Sequence, residues 1–192
     1  RTLREAITRT PDHDIIIRFH DDAIRAPALL ESLQLPKENN EYRLSCDEAL
    51  RLQLFDNSVL RLSSESEFMR HLYLMCRFGK RSLDILSIDL RASRFNRDIG
   101  NAVSKLARYH KNVRVRILVQ NTQHLVGTTH PLASLAQKLS SSISIRKLNE
   151  EPDRAEQGYA IIDKKMLLYY NDEREATGFA NYEAAAESEH FT

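Results

Sequence analysis

Gly158-Tyr-Ala-Ile-Ile-Asp-Lys-Lys-Met-Leu-Leu-Tyr-Tyr170 is the stretch on which the fold turns. Two apolar runs of strand length flank the polar triplet Asp163-Lys164-Lys165. Short apolar runs bounded by a turn signal read as buried strands. We therefore expect a buried strand, a tight turn and a second strand, closed as an antiparallel hairpin.

Upstream of the hairpin, strands alternate with helices. Ser64-Glu-Ser-Glu67 precedes Phe68, Leu72, Met75 and Cys76, which predicts an amphipathic helix with an acidic start and Gly79 as its stop. Ser82–Leu90 reads as a strand. Ile99, Val103, Leu106 and Ala107 share one helical face, and Lys111-Asn112 turns the chain into the strand Val113–Val119. Pro131 opens a helix carrying Leu132, Leu135, Ala136 and Leu139. Ser142–Arg146 is a shorter strand, and Ala184–Phe191 a closing helix. Such alternation predicts an α/β fold, a mostly parallel central sheet with helices on both faces.

Residues 1–62 read differently. Asp14–Phe19 is a strand candidate, Asp21–Leu33 has helical spacing interrupted by Pro27, Leu35–Asn40 reads as a loop, and Ser45 caps a further helix. We treat 1–62 as an N-terminal helical arm and 63–192 as the α/β domain. The chain opens with Arg1 rather than Met, which suggests a fragment of a longer protein.

The 192 residues suit one domain, or one domain with an arm. Hydrophobic residues make up 42% and charged residues 29%, an ordinary balance for a globular protein. A formal net charge of +1 gives no bulk attraction to nucleic acid or an anionic membrane. Cys46 and Cys76 are too few for a disulfide framework and lack metal-ligand spacing, so reduced thiols in a cytoplasmic protein are expected. No secretory signal and no membrane-length apolar run is read.

The α/β portion resembles one half of the phospholipase D superfamily. The resemblance rests on Leu83–Leu90, a strand ending in Ser-x-Asp, on Ala102–Val119, and on Tyr159–Tyr170. More narrowly, Arg114–Gln120 followed by His130–Ser142 resembles a bacterial phospholipase-D-like domain often found behind a GNAT-type acetyltransferase. The family signature is His-x-Lys-x-x-x-x-Asp. Asp163 matches its last residue, but Glu156 and Gly158 stand at the positions of the His and the Lys. The family reaction needs an imidazole nucleophile and a lysine that binds the phosphate. A carboxylate repels phosphate, and glycine supplies no cation. The resemblance also implies that two such motifs meet, so an active form would be a homodimer.

The remaining candidates lie at strand ends, where open sheets tend to bind ligands. Asp89, Gln120, Asn121, His124, His130 and Asp163 are the candidate ligand-binding residues. For the aspartates we favour turn stabilisation, and for the two histidines a solvated loop. Arg114 and Arg116 point the same way along one strand and form a candidate phosphate-binding strip. Against it stand the near-zero charge and a single neighbouring aromatic, Tyr109. There is no Gly-rich phosphate loop and no nucleophile elbow.

We therefore expect a non-catalytic binding or assembly domain without cofactor or metal. Its expected partners are a second copy of the chain or a fused or neighbouring acetyltransferase. The alternatives are a diverged phosphodiester hydrolase using the strand-end crevice and a nucleic-acid-binding module on the Arg114/Arg116 face.

Overall fold

The computed structural model describes residues 15–18, 37–38, 41–44, 54, 58–125, 130–149 and 156–185. The chain divides into two units, Arg1–Asp56 and Asn57–Thr192. In the first, β1 (Ile15–Arg18), β2 (Lys37–Glu38) and β3 (Glu41–Leu44) form an antiparallel sheet in the order β1-β3-β2. The strand expected at Asp14–Phe19 is there. The described part of the supposed helical arm is otherwise a small sheet. The helix expected over Asp21–Leu33 lies outside the described residues, as does that from Ser45 apart from helical, buried Leu54.

The second unit begins with β4 (Leu60–Leu62). Next come α1 (Glu65–Phe78), β5 (Ser82–Asp89), α2 (Arg97–Ala107) and β6 (Arg114–Asn121). They are followed by α3 (Pro131–Lys138), β7 (Ile143–Lys147), β8 (Gly158–Ile162), β9 (Met166–Asp172) and β10 (Thr177–Asn181). Each helix starts on a side-chain acceptor. Ser64 Oγ accepts from the Glu67 amide, Asn96 Oδ1 from those of Asp98 and Ile99, and His130 Nδ1 from that of Leu132.

The seven described strands of this unit join one sheet, ordered β4-β10-β9-β8-β5-β6-β7. Only β5–β6 and β6–β7 are parallel; the other neighbours are antiparallel. The expected mostly parallel sheet is thus corrected to a mixed, mainly antiparallel one. The physical reason is loop length. Helix-containing connections make the two parallel crossovers, whereas the tight turns at 163–165 and 173–176 can only reverse the chain. Two strands of this unit had escaped the sequence reading, β4 and β10, as had β2 and β3 of the first unit, where Leu35–Asn40 reads as a loop. Gly178 interrupts the β10 run for a packing reason: a Cβ there would lie 1.9 Å from the Tyr169 carbonyl oxygen.

Helices on both faces is likewise corrected. α1 packs on α2 and α2 on α3, while α1 reaches β8 and β9, so the described helices form one layer on one face. Leu83, Val115, Ile117, Val119, Ile162 and Leu168 point into that layer and are buried. Phe68 of α1 stacks on Tyr170 with ring centroids 3.8 Å apart, fixing the helix over the antiparallel half. The opposite face carries exposed Arg114, Arg116 and Leu118 beside a smaller buried cluster of Ile161, Leu167 and Ala184. Ala184 is described; the rest of the expected closing helix, from residue 186, lies outside the described residues. Cys76 is a buried free thiol, pushed up to about 12 by burial. Among the described residues no helix is long and apolar enough to cross a membrane.

Candidate strand-end site

At the C-terminal end of β5 the sheet brings together two charge clusters. The inner one centres on Glu173, which follows β9 and is 1% exposed. Its Oε1 lies 2.5 Å from Nη1 of Arg94 and accepts from Ser87 Oγ at 2.5 Å. Its Oε2 accepts from the Ile88 amide at 2.7 Å. Arg94 is 4% exposed. Its second fork donates to the Glu173 carbonyl at 2.8 Å, and its Nε lies 3.4 Å from Glu65 Oε1 of α1. Burial raises the Glu173 carboxyl, against the opposing pull of Ser87, Ile88 and Arg94.

The outer cluster centres on Asp89. Arg91 Nε donates to its Oδ2 at 2.9 Å, and His124 Nε2 lies 3.5 Å from the same oxygen. Ser87 links the clusters, since its Oγ is also 2.8 Å from the Asp89 carbonyl. His130 is buried and serves as the cap of α3 through Nδ1. Burial lowers its pKa, with the Leu90 carbonyl pulling the other way, which favours the neutral ring. Asn121 accepts from the Gln123 amide at 2.9 Å, an Asx turn that shapes the loop. The side-chain Nε2 of Gln120 is buried without a hydrogen-bond partner among the described residues.

Asp89, Gln120, Asn121 and His124 therefore share one edge of the sheet, with His130 at the start of the neighbouring helix. Asp163 does not join them. It sits in the turn at the other end of the β8–β9 hairpin, where its carboxylate accepts from the amides of Lys80, Arg81 and Ser82 at 2.7–2.9 Å. Ser82 and Asp89 are the two ends of β5, so the separation is about 23 Å at strand rise. Asp163 and Lys164 both have φ of 57°, and the amide clamp holds this left-handed turn. Asp163 thus cannot orient an imidazole in the crevice.

Arg114 and Arg116 do lie together on the face opposite the helices. Both are engaged. Arg116 makes a two-pronged pair with Asp84, 2.5 Å and 2.9 Å, and Arg114 donates to the carbonyls of Lys111 and Val113.

The residue reading missed Ser87, Arg91, Arg94 and Glu173. Arg91-Ala-Ser-Arg94 and Asn171-Asp-Glu-Arg-Glu175 look like solvated charged turns. The usable signal was Gly158. A Cβ at that position would lie 2.7 Å from Glu173 Oε2 and 3.0 Å from the Leu86 carbonyl. The glycine and the buried glutamate thus occupy one space between them.

The model of the family described as Domain of unknown function (DUF7931) matches residues 64–192. The chain belongs to that family. The DUF7931 segment coincides with the second unit from the cap of α1 onward. No curated protein matches the chain in sequence. Among solved structures, the fold is similar to that of TrmBL2, an archaeal chromatin protein whose structure is described as showing a novel mode of DNA binding. The TM-score is 0.51 at 10% identity, over 74% of this chain and 53% of that one. It is also similar to NucT from Helicobacter pylori, with a TM-score of 0.51 at 15% identity over 70% of this chain and 89% of that one. At such identities the likeness shows the fold alone, and the chain spans about half the length of the chromatin protein.

Proposed function

We propose that this chain is a phospholipase-D-like domain that lacks the family chemistry and works by binding or assembly. One observation carries the reading. Where the family signature would project a lysine from position 158, the space is filled by the Glu173 carboxylate, already paired with Arg94. A phosphate arriving there meets a carboxylate. The guanidinium beside it has both forks occupied. A phospho-enzyme also needs an imidazole nucleophile. His124 is tied to Asp89, and His130 caps a helix from a buried position. The likeness in fold to NucT and to a DNA-binding chromatin protein makes nucleic acid the first ligand class to test. A homodimer and an acetyltransferase partner are proposed from the resemblance alone; light scattering of the full chain tests the first and co-purification the second.

The deciding experiment incubates the full chain with a chromogenic phosphodiester and with single-stranded DNA, followed by acid-free mass spectrometry. No turnover and no phosphohistidine are expected. A phosphoryl adduct on His124 or His130 overturns the reading.

A further inference from the structure

A groove between α1 and α2 lies outside the strand-end crevice and outside the Arg114/Arg116 face. Its main part measures about 730 Å³. A second depression of about 330 Å³ continues it toward Gly79 and Tyr109, sharing Tyr73, Asn101 and Lys105 with the first. One wall is a helical stripe of α1: Arg70, Tyr73 and Arg77 stand at i, i+3 and i+7. The other is the matching stripe of α2, with Asn101, Lys105 and Arg108 at i, i+4 and i+7. The two stripes put four cations along the groove, against the single carboxylate of Asp98. In a chain of net charge +1, that is a local concentration of one sign.

Three of these cations are open to an external anion. Arg70, Lys105 and Arg108 are exposed and make no ion pair among the described residues. Two large side chains sit exposed beside them, Tyr73 at 37% and Tyr109 at 60%. Lys80 Nζ lies 5.9 Å above the Tyr109 ring, adding a cation at that end. Backbone phosphates need cations spaced along a track, and unpaired bases need ring faces to stack on. An acidic peptide would use the cations and leave the tyrosines idle.

We propose that the α1–α2 groove binds single-stranded nucleic acid, with Arg70, Lys105 and Arg108 on the phosphates and Tyr73 and Tyr109 stacking on bases. The eleven residues of α2 span about 16 Å, room for a short site near four nucleotides. The proposal rests on the reading of the chain as a binding domain and adds its ligand class. Its failure is distinguishable, because it is read from binding and not from turnover or an adduct.

The test is fluorescence anisotropy of the full chain with a labelled oligothymidylate of about twelve nucleotides. Saturable binding should weaken with salt, with a log–log slope of about −2 to −3 for three or four phosphates. The pair Arg70→Glu/Arg108→Glu should weaken binding about tenfold or more. Tyr73→Ala and Tyr109→Ala should each cost about fivefold. Lys138→Glu on α3 should change nothing. All five positions are exposed, so circular dichroism should report an intact fold in every variant. Absent binding or a flat salt response overturns the proposal. So does equal competition by polyglutamate with no tyrosine effect, which would point to an acidic protein partner. A loss seen only in Arg114→Glu would place the interface on the opposite sheet face and overturn the groove assignment.

Discussion

Removing the Glu173 carboxylate is the perturbation from which the crevice can be judged. In Glu173→Ala, Arg94 stays buried and keeps the residue-173 carbonyl, the face of Tyr170 and the partly exposed Glu65, but no buried carboxylate among the described residues. Breaking a buried pair from one side costs about 3–5 kcal/mol, because a charge is left uncompensated. The Ile88 amide loses its acceptor as well, whereas Ser87 keeps the Asp89 carbonyl. These terms overlap, so we expect about 4 kcal/mol in all, a large share of the 5–15 kcal/mol by which domains are stable. Glu173→Gln keeps the shape and one acceptor, and should cost about 2 kcal/mol. Replacing both partners, Glu173→Leu with Arg94→Leu, should cost clearly less than the two single changes together, with a coupling of about 2 kcal/mol or more. Equilibrium urea denaturation measures the wild type, Glu173→Ala, Glu173→Gln, the two single leucine variants and the double variant. A Glu173→Ala cost under about 1 kcal/mol, or strict additivity in the cycle, would refute the claim that the pair holds this end of the sheet together.

Three further outcomes follow from the same geometry. His71 donates or accepts at Nδ1 against Tyr182 Oη, 2.9 Å away, and burial lowers its pKa from 6.5 to about 4. It stays neutral when folded, so its contribution is complete above pH 6.5 and is lost as pH falls toward 4. After discounting for partial exposure this is about 2 kcal/mol, and His71→Gln should flatten the stability–pH profile over that window. Asp163→Ala removes the acceptor of three amides and the clamp on a left-handed turn, and should cost about 2–4 kcal/mol by urea denaturation while leaving oligonucleotide binding unchanged. Gly178→Ala places a methyl group 1.9 Å from the Tyr169 carbonyl oxygen, and should cost about 3 kcal/mol or more; a stability unchanged within error would contradict the strand register described.

What was legible in the sequence was local. The cap at Ser64, the first-turn Pro131, the helical spacing of Ile99 to Ala107 and the hairpin at Asp163 are signals written within a few residues, and each element forms close to where they put it. Strand direction is not written that way. β10 carries a glycine because backbone approaches backbone there, and without β10 and β4 the antiparallel half of the sheet is invisible. The candidate site shows the same divide. Asp89, Gln120, Asn121 and His124 follow from their position at strand ends. Arg94 and Glu173 lie 79 residues apart and meet only through the sheet. Asp163 matched a signature in sequence while its role here, three amides at the other end of β5, depends on chain segments 81 to 83 residues away.

The energetics of the two basic sites decide between them. For Arg94 to receive a ligand phosphate it must release Glu173, and that release carries the same cost of about 3–5 kcal/mol as deleting the partner. At 1.4 kcal/mol per tenfold, a ligand in the crevice starts roughly two to four powers of ten behind. Arg116 faces a smaller version of this handicap, since its pair with Asp84 is partly solvated. Arg70, Lys105 and Arg108 make no ion pair among the described residues, so an arriving anion displaces no described partner. Released counterions then favour binding. On our proposal the attraction for phosphate therefore lies along the α1–α2 groove, where Arg70, Lys105 and Arg108 make no ion pair among the described residues, and not at the strand ends, where Arg91 and Arg94 are already paired.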